Sequence, residues 1–139
     1  MVAVDYSIEV PYLIGMNGKS FPGLVVTLAD ASEPSDAVEV RAELDSGAEF
    51  SLIDGEFASA IGLELSAGSE FRFVTLGGAT IDSRILQVVL RHADLGAFRI
   101  GLRFSTNKIR RNILGRDFFS LIQIGFQERH LMVYLNATP

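Results

Sequence analysis

The run Val38-Glu39-Val40-Arg41-Ala42-Glu43-Leu44 alternates apolar and polar residues and then meets Asp45-Ser46-Gly47 without a break. An alternation of period two describes a strand with one buried face. The chain must therefore carry a carboxylate directly off the end of a half-buried strand. Desolvating an isolated carboxylate there is costly unless hydrogen bonds or a shared proton offset it. Ser46 brings a hydroxyl that both donates and accepts. Gly47 permits a sharp turn and a close ligand approach with no Cβ in the way. Asp-Ser-Gly also makes ordinary turns, so a strand-to-turn junction with a solvated Asp45 is the plain alternative.

The rest of the chain has the same extended character. Ile8, Val10 and Tyr12 alternate within a strand-like stretch from Val2 to Ile14, and Pro11 places it at a sheet edge. Met16 to Lys19 reads as a turn, Phe21 to Leu28 as a strand, Asp30 to Asp36 as a polar loop and Ala37 to Leu44 as the strand before Asp45. A short helix is expected over Asp54 to Ile61, with Asp54 as its cap and Gly62 at its stop. Phe71 to Leu76 and Thr80 to Leu90 flank Gly77-Gly78, the signal of a hairpin with a primed turn. A further half-buried strand spans Phe98 to Phe104, followed by a basic loop from Ser105 to Asn112. Gly115 to Leu121 reads as a short helix, and Ile122 to Phe126 with His130 to Leu135 as a closing hairpin. The fold class is all-β, a partly closed barrel with one or two short helices.

Two motifs carry a resemblance. Leu44-Asp45-Ser46-Gly47-Ala48 is followed far downstream by Asn112-Ile113-Leu114-Gly115-Arg116-Asp117, with the glycine-tipped hairpin between them. In that order they resemble the Asp-Thr/Ser-Gly-Ala signature and the apolar-apolar-Gly-Arg-Asp/Asn stretch of the retropepsin-like aspartic proteases. The likeness covers roughly Phe21 to Leu135. It implies an acid protease barrel in which Asp45 activates a water for peptide hydrolysis. Ser46, Gly47, Ala48, Glu49, Gly115 and Arg116 would support the site. Leu76, Gly77, Gly78 and Ala79 would form a flap over an extended polypeptide substrate. Within the family the acid four places after the catalytic Asp pairs with the Arg of the Gly-Arg motif, here Glu49 with Arg116; a bidentate fork suits such a tie. Leu44, Ile53, Leu76, Ile113 and Leu114 would line apolar subsites.

The mechanism needs two carboxylates sharing a proton, yet the chain has one Asp-Ser-Gly. Neither Asp36, Asp54 nor Asp117 is followed by Ser/Thr-Gly. The resemblance therefore implies a homodimer with one Asp45 from each copy, the hydroxyl of Ser46 bonding across the axis and the terminal segment His130 to Leu135 interleaving with its partner. Asp117 would be structural.

Composition narrows the alternatives. With 139 residues the chain is expected to be a single domain spanning 1–139, too short for two pepsin-like lobes. A net charge of -5 argues against nucleic acid as a partner. The absence of cysteine removes thiolate metal sites and a cysteine nucleophile, and fits a reducing compartment. No apolar stretch reaches membrane-spanning length, and Asp5 and Glu9 interrupt any signal peptide. A cytoplasmic location is favoured. His92 and His130 are isolated, so no metal and no cofactor is expected. Lys108, Arg110 and Arg111 form a basic run, read as a solvated loop with substrate binding or self-cleavage as the functional alternative. Two other functions stand beside the peptidase: a non-catalytic dimeric binding or assembly module on the same fold, and a glycosidase, which lacks a second acid in a comparable setting.

Overall fold

The computed structural model describes residues 4–34 and 36–137. Val2 and Ala3 of the first expected strand, and Ser35 of the polar loop, lie outside the described residues. Among the described residues, twelve strands and two short α-helices follow in chain order, with 3-10 turns at Leu65–Ala67 and Glu128–His130: β1 (Ile8–Pro11), β2 (Leu13–Ile14), β3 (Ser20–Phe21), β4 (Gly23–Asp30), β5 (Ala37–Leu44), β6 (Leu52–Asp54), α1 (Gly55–Ala60), β7 (Ser69–Val74), β8 (Thr80–His92), β9 (Gly96–Ser105), β10 (Asn112–Leu114), α2 (Arg116–Phe119), β11 (Ile122–Gln127) and β12 (Met132–Ala137). Among the described residues no helix is long and apolar enough to cross a membrane.

The main sheet runs β4-β5-β10-β6-β9-β8-β7, and β4 also pairs with β8. Six strands thus close on themselves as a barrel, leaving β7 outside as an extension of β8. Closure satisfies edges that an open sheet would expose. Inward positions of the barrel strands are apolar. Leu24, Val26 and Leu28 of β4, Val40, Ala42 and Leu44 of β5, and Val88 and Leu90 of β8 are all buried, with Phe104 and Phe118 the bulkiest fully buried side chains. Phe98 of β9 packs edge-on against Phe118 of α2 at 6.2 Å between ring centroids.

Local signals account for most boundaries. The Asp54 carboxylate accepts from the Glu56 N–H, capping α1 as expected, and Gly62 takes a left-handed φ of 82° just beyond it. The expected strand over Phe21 to Leu28 is split at Pro22 into β3 and β4. The Gly77-Gly78 hairpin differs from the expected primed turn. Only Gly78 has positive φ, and its N–H donates to the Thr75 carbonyl at 2.9 Å. This is a three-residue turn closed by one left-handed glycine, a form that accommodates strand twist equally well. Two strands, β6 and β10, were not foreseen as such, because three residues are too few to show a period.

The terminal strands form a separate sheet in the order β1-β12-β11. Ile8 faces Leu135 across it, and Asn136 holds the N-terminal segment through bonds from its Nδ2 to the Asp5 carbonyl and from the Ser7 N–H to its Oδ1. Both edges of β12 are therefore filled by its own chain. The expectation that His130 to Leu135 interleaves with a second copy is corrected accordingly: the free edges of this sheet belong to β1 and β11.

His92 ends β8 at the turn into β9, buried, with its Nδ1 accepting from the Asp94 N–H at 3.2 Å. Burial lowers its pKa from the ordinary 6.5, with Asp94 opposing the shift. As pH falls, the unfolded chain takes up this proton before the folded one does. The contribution is thus fully present above pH 6.5 and lost as pH drops through the lowered folded value. Below pH 6.5 the melting temperature of the wild type should fall more steeply than that of His92→Gln, as followed by thermal scans across pH.

Candidate functional site

Strand β10 is the element that assembles the site. It lies between β5 and β6, parallel to β5 (Leu114 beside Leu44) and antiparallel to β6 (Ile113 beside Leu52). The loop of residues 45–51 leaves β5 and returns as β6, so it must arch over the C-terminal end of β10. Backbone bonds fix that crossing. The Asp45 N–H donates to the Leu114 carbonyl at 3.0 Å, the Arg116 N–H to the Ala48 carbonyl at 2.8 Å and the Asp117 N–H to the Glu49 carbonyl at 3.2 Å. A Cβ on Gly115 would stand 2.5 Å from the Ala48 oxygen and 3.1 Å from the Phe50 carbonyl carbon. Only glycine lets the two loops come this close.

Asp45 is half-buried at the turn that follows β5. Its Oδ1 accepts from the Gly47 N–H at 2.8 Å, and a Cβ on Gly47 would sit 3.1 Å from the same oxygen. The hydrogen bond orients the carboxylate, and the absent side chain keeps its approach open. Ser46 is exposed beside it. A cleft of about 420 Å³ lies between this loop and the β7–β8 hairpin. Asp45, Gly47 and Ala48 form its floor, with Phe73, Val74 and Leu76 facing them. Gly77, Gly78 and Ala79 stand at the exposed tip and do not line it. Of the expected apolar lining only Leu76 and Ile113 contribute. Leu44, Ile53 and Leu114 are in the barrel core, because strand alternation turns them away from the face that carries Asp45.

The expected ion pair between Glu49 and Arg116 does not form. Both side chains are exposed, and among the described residues neither enters an ion pair. The tie runs through Asp117. Its carboxylate accepts from the Ser51 N–H at 3.0 Å, the Ser51 hydroxyl at 2.6 Å and the Phe118 N–H at 2.8 Å. The fully buried Ser51 hydroxyl in turn accepts from the Gly115 N–H at 2.9 Å. A short acid on a buried serine does from inside what an arginine fork would do from outside.

Arg103, on β9, was missed in the sequence because it occupies an outward position of an alternating strand. Its guanidinium lies 3.6 Å from the Phe50 ring centroid and 4.1 Å from that of Phe71. It therefore joins the 45–51 loop to the base of the β7–β8 hairpin by cation–π stacking. Burial lowers its pKa, while Asp117 and Glu49 pull the other way. Its Nε is buried with no hydrogen-bond partner among the described residues. Among the described residues no group of three or more His, Cys, Asp or Glu side chains is placed to hold a metal ion.

A family model described as aspartyl protease matches residues 26–118. No curated protein gives a significant sequence match. Similar solved structures include a retropepsin-like aspartic protease from Rickettsia conorii, at 14% identity and a TM-score of 0.64, with 97% of each chain covered. The retroviral protease-like domain of Ddi1 from Leishmania major aligns at 17% identity and a TM-score of 0.55, over 86% of this chain and 97% of that one. The EIAV protease in complex with the inhibitor HBY-793 aligns at 18% identity and a TM-score of 0.50, over 77% of this chain and 92% of that one. At these identities the likeness is one of fold.

The geometry separates two neighbouring residues. Asp117→Ala should cost about 2–3 kcal/mol, since it removes the acceptor shared by the Ser51 N–H, the Ser51 hydroxyl and the Phe118 N–H. Arg116→Ala should stay within about 0.5 kcal/mol of wild type, as expected of an exposed side chain. Urea unfolding of the two variants measures the difference.

Proposed function

The chain belongs to the aspartyl protease family, and from that membership we propose that it is an endopeptidase acting as a homodimer. The observation that carries the reading is the position of Asp45. It lies on the floor of an open cleft, with one carboxylate oxygen fixed by the Gly47 N–H and the other without a partner among the described residues. Such a carboxylate is oriented yet free to accept a proton from a water molecule.

Peptide hydrolysis by this route needs an acid as well as a base. Among the described residues Asp45 is the one carboxylate lining the cleft, and the side chains of Asp54 and Asp117 are engaged in capping and bracing bonds. The second carboxyl therefore comes from Asp45 of a second copy. Two carboxyls in contact cannot both ionise, so one proton is shared between them. The ionised member takes a proton from water as the oxygen attacks the peptide carbonyl carbon, while the protonated member donates to the carbonyl oxygen. Collapse of the resulting diol breaks the C–N bond, with a proton delivered to the leaving amine. The β7–β8 hairpin serves as the flap: Val74 and Leu76 are exposed on it, 72% and 110% of their reference surface, and gain cover when a peptide strand lies beneath.

Asp45→Asn should lower kcat/KM on a susceptible peptide by about 10²–10⁴-fold or more. Its circular dichroism and urea midpoint should match wild type. Retained cleavage by a folded Asp45→Asn protein would refute the assignment. Assembly has its own check. In an equal mixture of wild-type and Asp45→Asn chains that exchange freely, about a quarter of closed pairs contain two intact carboxyls. Activity per wild-type chain should fall to about half, and it should also fall on dilution through the dimer dissociation constant. Activity that ignores both mixing and dilution would remove the shared dyad.

A further inference from the structure

A groove of about 1040 Å³ lies further back along β5 and β10 than the cleft beneath the hairpin. The β2–β3 hairpin forms its outer wall, and the loop before β10 forms the other. Asp45 and Ile113 line the cleft, whereas Glu43 and Asn112, their neighbours on the same two strands, line the groove. Arg41, Glu43 and Asp45 occupy alternate positions, so they share one face of the extended chain. Cleft and groove thus follow one another along this segment, with no lining residue in common.

Its charge is opposite to that of the protein. Lys19, Arg41, Arg110 and Arg111 line it against the single acid Glu43, in a chain of net charge -5. Arg111 is committed to Glu43, at 2.7 Å. Arg41 donates to the Ile14 carbonyl, which holds its guanidinium against the wall without neutralising it. The charged ends of Lys19 and Arg110 have no acid partner among the described residues. Apolar surface accompanies them: Ile14 and Met16 of the wall are 64% and 109% exposed. A concave site with uncompensated cations and low-dielectric walls concentrates anionic ligands.

We propose that this groove binds an acidic, extended peptide segment, the part of the substrate that runs on from the scissile bond. The proposal rests on the peptidase reading of the cleft and adds a substrate class to it. A strand advances about 3.3 Å per residue, so Arg41 stands roughly 13 Å, about four peptide residues, from Asp45. Aspartate or glutamate about three to five positions from the cut meets Arg41, Lys19 and Arg110, and apolar neighbours meet Ile14 and Met16.

The test uses the Asp45→Asn variant of this 139-residue chain and three fluorescein-labelled peptides with one apolar centre. Their flanks at the third to fifth positions carry Asp/Glu, Asn/Gln or Lys. By fluorescence anisotropy at low salt the acidic peptide should bind about five- to tenfold more tightly than the neutral one, and the basic peptide most weakly. The preference should shrink towards unity at about 0.5 M salt. It should be lost in a Lys19→Gln/Arg110→Gln variant. It should persist in an Arg91→Gln/Arg99→Gln variant, which removes equal charge from exposed sites on β8 and β9. Equal binding of the three peptides overturns the proposal, as does equal loss in both variants. A single-stranded oligonucleotide binding more tightly than the acidic peptide overturns it in favour of nucleic acid. A shifted dimer dissociation constant in the groove variant, with unchanged peptide preference, overturns it in favour of an interface between copies. Acid-selective binding alongside a wild type that cuts nothing leaves the groove standing and sinks the peptidase reading. Cleavage that ignores flanking charge does the reverse.

Discussion

The close approach of Gly115 to the carbonyls of Ala48 and Phe50 is the contact on which the site depends. It brings two loops, more than sixty residues apart in the chain, near enough to exchange backbone hydrogen bonds, and a single added methyl group would separate them. Apart from the local bond from the Gly47 N–H, what positions Asp45 passes through that crossing: the bond from its own N–H to Leu114, the bracing of Ser51 by Asp117, and the register of β10 between β5 and β6. The barrel supplies stiffness behind it. Because β10 is hydrogen-bonded on both sides, its C-terminal end has little freedom to drift, and the loops built on it inherit that rigidity.

A polar lock inside an apolar barrel carries a cost that the sequence meets economically. Ser51 is fully buried, and its hydroxyl is satisfied in both directions, donating a hydrogen bond to Asp117 and accepting one from the Gly115 N–H. Buried polar groups rigidify a structure only when every member is paired. Arg103 departs from that rule at one atom. Its planar face is covered by two aromatic rings while Nε is left without a partner among the described residues. The stacking joins β9, the 45–51 loop and the foot of the β7–β8 hairpin. Displacement of that hairpin at Phe71 must therefore either slide along the guanidinium or move it.

Much of this was legible in the sequence, for identifiable reasons. Strand β5 carries a clean period of two, and its observed bounds, Ala37–Leu44, coincide with that pattern. Helix α1 is announced by its Asp54 cap and the glycine beyond it. The pairing of the Asp45 and Gly115 motifs was readable from their order, whereas the partners of individual charges were not. Glu49 and Arg116 carry complementary charges at suggestive positions, yet the short helix α2 leaves Arg116 in solvent and turns Asp117 towards Ser51. Helix phase over four residues cannot be read from a pattern. Arg103 was hidden for a related reason: an arginine at an outward strand position looks solvated until the aromatic residues that cover it, from two distant segments, are brought into place.

The pairing of β1 with β12 has a consequence for how such a fold is carried within larger polypeptides. The two strands run antiparallel and adjacent, and Asn136 clasps Asp5 and Ser7, so the described chain enters and leaves the molecule at one spot. Neighbouring ends make a body that can be inserted into a surface loop of another protein without prising that host apart, or reconnected end to end and reopened elsewhere. A short linker across this junction would join the two strands by a turn. The new opening would then belong in the exposed loop between β4 and β5, remote in sequence from the crossing at Gly115.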